Sequence, residues 1–309
     1  MLTTPVIRCL KTQRNVELHY LTKKAYQTIL IPNPHVDKVW SIDKKVSEVL
    51  PQLKQEKFDY IIDLHSNLRT LQVKLNLGVT AFTFDKINLQ KWMMVNFKVN
   101  WLPDIHIVDR YLKTVETLGV QNDGKGLEYF IPSKDEVQTI THQNQTIDLN
   151  QTEYIAFAIG AAHATKRLPT AKIIEICKTI NQPIILLGGP SEQEEGQHIA
   201  TQAGNHVINQ CGHLNLHQSA SIVQQAQKVI THDTGMMHIA AAFQKEIISI
   251  WGNTIPEFGM YPYYPKGVAN NTSIQVSNLS CRPCSKIGYK QCPKDHFKCM
   301  NDIKLRIKN

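Results

Sequence analysis

The sequence predicts an α/β protein of two doubly wound, Rossmann-like domains facing a cleft. Three observations carry that reading. Short apolar runs alternate with longer amphipathic ones, the alternation stops at a polar stretch near the middle, and it then restarts. At 309 residues the chain exceeds one domain of roughly 100 to 200 residues and can fill two cores.

In the first half, residues 16–21, 36–40, 60–64 and 81–84 have the character of strands, and 44–53 and 106–118 read as helices between them. That order implies βαβ units and parallel pairing. Residues 1–14 read as a helix with no strand or glycine turn ahead of it, although such domains ordinarily open on a central strand; the sheet is expected to lack one. The stretch 133–151, rich in Gln, Asn and Thr, reads as the linker, which sets the expected domains at 1–145 and 146–309. Beyond it, 154–159, 183–187, 206–208, 228–231 and 246–251 read as strands, with helices near 170–180, 192–203, 216–227 and 236–243.

Composition narrows the function classes. Apolar residues make up 42% and charged residues 19%, a globular balance rather than a disordered or coiled-coil one. Lys and Arg exceed Asp and Glu by 34 − 26 = 8, which favours anionic partners. The basic residues are spread along the chain, so a solvated basic surface fits as well as a ligand field, and a nucleic-acid patch is not expected. No run approaches the roughly 18 apolar residues of a bilayer span and no signal-peptide pattern opens the chain. The expected location is therefore the cytoplasm, with peripheral contact at the inner face of the cytoplasmic membrane as an option.

Three segments follow strands of the second half, at the edge where open α/β sheets bind ligands. In Thr231-His232-Asp233-Thr234-Gly235-Met236-Met237-His238, Asp233 is expected to cap the next helix and the amides from Thr234 to Met237 to receive an anion, because a helix N-terminus carries partial positive charge. Simple helix capping explains the same residues equally well. In Gly160-Ala161-Ala162-His163-Ala164-Thr165-Lys166-Arg167, small residues admit a ligand to the backbone, and Lys166 and Arg167 are expected to neutralise a diphosphate; an exposed basic loop is the plainer alternative. Gly188-Gly189-Pro190-Ser191-Glu192 offers a carboxylate to ribose hydroxyls, although such a turn alone is common.

Taken in order, Leu2-Thr3-Thr4-Pro5-Val6-Ile7-Arg8, Phe58-Asp59-Tyr60-Ile61-Ile62-Asp63-Leu64-His65, Lys166-Arg167-Leu168-Pro169, Leu187-Gly188-Gly189, Asp233-Thr234-Gly235-Met236-Met237-His238 and Gly252-Asn253-Thr254-Ile255-Pro256 resemble glycosyltransferase family 9, the lipopolysaccharide heptosyltransferases. The resemblance spans essentially the whole chain. It implies a GT-B fold and metal-independent, inverting transfer of a heptose from an ADP-heptose-like donor to a lipopolysaccharide core or other glycan acceptor. Carried over by position, Lys166 contacts the donor diphosphate, Glu192 the ribose, and Asp233, Thr234, Gly235, Met236 and His238 hold the phosphates. Leu168 replaces a tryptophan common in the family, a change expected to affect packing more than chemistry. Family members place a strand and a Gly-Asp turn just before the segment matching Leu2-Thr3-Thr4-Pro5, and that Asp is taken as the general base. It is absent here, and a positioned base contributes roughly 100- to 10,000-fold in rate. Either the start lies upstream or the chain is a catalytically impaired nucleotide-sugar-binding relative.

Cys281, Cys284, Cys292 and Cys299 fall within 19 residues, and the first pair has the two-residue spacing of structural zinc sites. The second pair lacks it, so a structural zinc and free thiols both remain open, and no cofactor is expected for catalysis. A zinc-dependent nucleic-acid-binding protein would use the charge and the cysteines but leave the phosphate segments unexplained. Of thirteen histidines, His163 and His238 are the ones taken as candidates in the site segments; His65 and Arg69 are placed by position alone on the acceptor side.

Overall fold

A computed structural model describes residues 1–142 and 145–305. The chain forms two compact units: Met1–Asn88 with Ile105–Phe130, and Leu89–Asp104 with Ile131–Asn309.

The first unit opens on helix α1, Thr4–Gln13, whose first turn holds Pro5 where a missing amide costs nothing. Strand β1 (His19–Lys23), helix α2 (Gln27–Leu30) and strand β2 (Lys38–Ile42) follow, then α3 (Leu50–Gln55), β3 (Tyr60–Asp63), α4 (Leu68–Leu77) and β4 (Thr80–Thr83). β1 pairs with β2 and β3 with β4, both parallel, but among the described residues no ladder joins the two pairs. Side chains link them instead: Ile42, Val46 and Val73 form a buried cluster against Leu21 of β1 and Ile61 of β3. Helix α5 (Asn88–Phe97) leads into the second unit, and α6 (Ile107–Leu112) returns to the first and packs on α1.

The segment expected as a linker is instead largely structured. It folds as an antiparallel hairpin of β5 (Thr139–His142) and β6 (Gln145–Asp148), with Ile140 opposite Ile147; residues 143 and 144 lie outside the described residues. Its polar composition conceals a β-branched alternation that suits a strand. The expected division at 145/146 falls inside this hairpin, whereas the units divide after Phe130 and residues 89–104 join the second.

The second unit matches the expected rhythm. Strand β7 (Ile155–Ala158) is followed by α7 (Thr170–Lys178), β8 (Ile184–Leu187), α8 (Gln193–Ala203), β9 (Val207–Asn209) and α9 (Leu216–Gln225). Then come β10 (Lys228–His232), α10 (Gly235–Ala242), β11 (Glu246–Trp251), β12 (Asn271–Gln275) and α11 (Lys298–Asn301). The parallel sheet runs β12-β11-β10-β7-β8-β9, so the strand order reverses between β7 and β10. Both faces are covered, and the central strands β7 and β8 are accordingly buried at every residue. No helix of the described residues is long and apolar enough to cross a membrane.

Arg8 is the buried charge that ties α1 into the first unit. Its guanidinium grips Asp123 at 2.7 Å through Nε and Nη2, donates to the Gly126 carbonyl and lies 3.2 Å from Glu128. Removing one partner of a buried pair strands the other. Arg8→Met is expected to destabilise the protein by about 3 kcal/mol, read as the shift in urea midpoint; an unchanged midpoint contradicts this role for Arg8.

Candidate functional site

The strand order reverses between β7 and β10, which leaves a crevice outside their carboxyl ends. A cleft of about 510 Å³ opens there, lined by Gly160, Gly188, Glu192, Asn215, Ser219 and Thr234 among others. That volume lies within the usual range for small-molecule sites. The three segments picked out in the sequence therefore meet in one place.

Glu192 is buried and oriented before any ligand arrives. Its Oε1 accepts from Arg167 Nη1 at 3.0 Å and from the Ser191 hydroxyl at 2.8 Å, and Oε2 accepts from the Gly189 amide at 2.8 Å. A carboxylate has about four acceptor positions, so one remains for a hydroxyl in the cleft. Gly188 permits this packing: a Cβ there would stand 2.8 Å from Glu192 Cβ and 3.0 Å from Cys211 Sγ.

The expectation that Asp233 caps α10 is corrected. The N-cap is Thr234, without a side-chain capping bond, and Asp233 turns the other way. Its Oδ2 receives Lys166 Nζ at 2.6 Å and the Thr254 hydroxyl at 2.8 Å. The competing pull is electrostatic, since a half-buried ammonium draws the carboxylate more strongly than neutral amides do. The first-turn amides of α10 are thus left without a side-chain cap, at the rim where Thr234 and Met236 line the cleft.

Lys166 and Arg167 are likewise not free cations. Lys166 is paired with Asp233, and Arg167 lies 3.0 Å from Glu192 and 3.9 Å from Glu195. Of the other expected residues, Gly235 opens α10 in open space, while His238 is buried on the same helix and Met237 is fully buried. His163 packs beside Gly288, where a Cβ would come within 2.6 Å of it. His65 stands in the turn after β3, and Arg69 in the first turn of α4.

His232 went unrecognised in the sequence, although it immediately precedes Asp233. It is fully buried at the end of β10, and its Nε2 accepts the Leu168 amide at 3.0 Å. It thereby fixes the loop that carries Lys166 and Arg167, and Leu168 enters the core where the tryptophan was expected. Burial lowers its pKa to about 4.

The Cys-rich tail braces the same loop from behind. The Tyr289 carbonyl accepts the Thr165 amide at 3.2 Å, and the Tyr289 amide donates to Thr165 Oγ1 at 2.8 Å. Arg282 donates to the Gly252 carbonyl at 2.5 Å and to the Thr254 carbonyl at 2.7 Å. Among the described residues no three His, Cys, Asp or Glu side chains are grouped so as to hold an ion. Cys281 lies 3.8 Å from His296 Nε2, whereas Cys299 is buried on α11 in the main core, where burial pushes its thiol up to about 12.

Comparison with known proteins agrees with this geometry. The model for glycosyltransferase family 9 (heptosyltransferase) matches residues 46–295, most of the chain. The chain belongs to glycosyltransferase family 9. A lipooligosaccharide heptosyltransferase 2 of Haemophilus influenzae is 29% identical over 124 residues, which span 38% of this chain and 36% of that protein. Among solved structures, a family 9 glycosyltransferase of Veillonella parvula superposes with a TM-score of 0.71 at 22% identity, covering 91% of this chain and 85% of that one. The E. coli heptosyltransferase WaaC with ADP gives a TM-score of 0.62 at 17% identity, with 88% of each chain covered. These likenesses establish the GT-B heptosyltransferase fold.

Two outcomes test the family member's loop support. His232 has a folded pKa near 4 against an ordinary 6.5, so the unfolded chain takes up its proton first. Its contribution to stability is complete above pH 6.5 and declines as pH falls toward 4, by at most about 1.4 kcal/mol per pH unit. Urea midpoints at pH 7.5 and 5 should show this loss, and His232→Gln should flatten it; an identical slope in the variant rules out His232 as its source. A Cβ at Gly252 would meet the Thr165 carbonyl at 2.6 Å and Met300 Cε at 2.5 Å. Gly252→Ala should therefore cost on the order of 1–3 kcal/mol, measured by thermal unfolding, and a neutral result contradicts the tight brace.

Proposed function

We propose that this chain transfers a heptose or related sugar from an ADP-heptose-like donor to a lipopolysaccharide core or other glycolipid or oligosaccharide acceptor, with inversion at the anomeric carbon. The observation that carries the reading is the cleft at the strand-order reversal, which both a pre-oriented carboxylate and the uncapped start of α10 line. Family membership and the heptosyltransferases cited above support it, one of them solved with ADP.

In this reading the nucleoside lies along Gly160 and Gly188, and Glu192 accepts a ribose hydroxyl at its remaining position. The diphosphate lies over the start of α10, where the amides of Gly235, Met236 and Met237 and the helix dipole stabilise its charge. Lys166 leaves Asp233 for a phosphate oxygen, while Thr254 keeps hold of Asp233. His238 supports the helix from within. Stabilising the departing diphosphate lowers the barrier to breaking its bond to the sugar. With an ammonium and helix amides supplying positive charge, the reading requires no metal ion for transfer.

Calorimetric titration with ADP tests the donor site. The wild-type chain should bind, and Lys166→Ala should weaken ADP by roughly 10- to 100-fold, the usual value of a charged hydrogen bond. Adenosine, which has no phosphates, should bind both proteins alike. A folded chain that binds no ADP overturns the reading, and equal weakening of ADP and adenosine removes Lys166 from phosphate recognition.

A further inference from the structure

Two thiols flank the arginine that braces the donor loop. Cys281-Arg282-Pro283-Cys284 is a two-residue-spaced pair, and both of its cysteines are half-buried and free, whereas Cys9, Cys177 and Cys211 are 0% exposed. Between the two thiols, Arg282 reaches the carbonyls of Gly252, Thr254 and Val276 and the Gln275 side chain. Thr254 in turn holds Asp233, so the arginine between the cysteines is two links from the donor cleft.

The surroundings give the two thiols different roles. The Lys298 amide donates to Nδ1 of His296 at 3.1 Å, which leaves the proton of the neutral ring on Nε2. That Nε2 stands 3.8 Å from Cys281 Sγ, and a donor beside a sulfur favours the thiolate, the form that attacks a disulfide. Lys98 adds an ammonium to the same segment, donating to the Pro283 carbonyl at 2.6 Å and the Cys281 carbonyl at 3.4 Å. Burial pushes the Cys284 thiol up, and the neighbouring sulfurs of Cys281 and Cys292 push it further. Once Cys281 is in a bond, one of those charges is gone and Cys284 is freer to ionise.

We propose that Cys281 and Cys284 form a thiol–disulfide exchange site for a small disulfide such as glutathione disulfide, and that closing the bond between them unseats Arg282 from the donor-loop brace. The Cys281 thiolate attacks one sulfur of glutathione disulfide, forms a mixed disulfide and releases one glutathione thiolate. Cys284 gives up its proton, attacks the Cys281 sulfur and releases the second. Two protein thiols are oxidised by two electrons, glutathione disulfide is reduced to two glutathione thiols, and the two protons end on them. The new bond fixes the two Cβ atoms about 3.8 Å apart, a constraint absent while Arg282 makes its bonds with both thiols free. The exchange site stands independently of the nucleotide; only its effect on ADP rests on the donor reading.

Equilibration of the full chain in glutathione buffers of graded disulfide content, followed by acid quench, alkylation and peptide mass spectrometry, tests it. A Cys281–Cys284 disulfide should form reversibly while Cys9, Cys177 and Cys211 stay thiols. Cys284→Ser should instead hold one glutathione on Cys281, and Cys281→Ser should lose both products. The Asn253 amide, bonded to the Thr165 carbonyl, reports on the brace without any nucleotide. Its hydrogen exchange should speed up on the order of tenfold in the oxidised chain. ADP should bind that chain roughly tenfold more weakly, and dithiothreitol should reverse both changes. The proposal is overturned if the pair resists oxidation, if the disulfide joins other cysteines, or if a stoichiometric metal ion shields the thiols from exchange. A Cys281–Cys284 disulfide that leaves exchange at Asn253 unchanged overturns it as well. Absence of ADP binding by either form sinks the donor reading alone, because the disulfide and the Asn253 amide are measured without ADP.

Discussion

The site depends on holding the loop after β7 against the end of β10. Two contacts do this from adjacent residues, the last of β10 and the one after it: His232 takes the Leu168 amide, and Asp233 takes the Lys166 ammonium. The first is neutral and fully buried, so it persists whatever occupies the cleft. The second is ionic, between a buried carboxylate and a half-buried ammonium at the edge of the sheet. The neutral clamp and the ionic one lie side by side, so the loop is held at two successive positions.

The tail extends the same logic. Thr165 is bonded to Tyr289 on one side and to Asn253 on the other, and Arg282 fastens the Gly252 and Thr254 carbonyls. Thr254 in turn holds Asp233. The chain from Arg282 to Asp233 is therefore a short series of polar links, and the hydrophobic seat of Met300 and Ile303 in the main core fixes its far end. The cysteines do not supply this brace. Backbone carbonyls and one half-buried arginine do.

Much of the second unit was legible because periodicity speaks directly there. Its strands are buried on both faces and read as continuous apolar runs, and its helices fall between them at the expected places. The hairpin at β5 and β6 was not legible, because Gln, Asn and Thr dominate its composition and only Ile140 and Ile147 mark its buried side. Strand β12 was missed for the same reason: Asn271, Thr272 and Ser273 form no apolar run, and parallel pairing with β11 makes them a strand. Helix α5 was missed because its apolar residues face outward. At the site, sequence brought Lys166, Glu192 and Asp233 to one sheet edge but gave Asp233 to the helix cap rather than to Lys166. Spacing places a residue on an element; it does not say which of several nearby partners its charge will take.

Charge accounting at the cleft shows why that matters. Lys166 and Arg167 supply two positive charges, against three negative from Asp233, Glu192 and Glu195, all within paired contacts. Side-chain charge alone would therefore repel a diphosphate. What remains to attract it is the uncapped start of α10, whose amides carry a fixed positive potential that no side chain neutralises. Had Asp233 capped that helix, its carboxylate would have occupied the place of the anion. The ion pair with Lys166 therefore has a second consequence: by drawing Asp233 away, it keeps the helix end open.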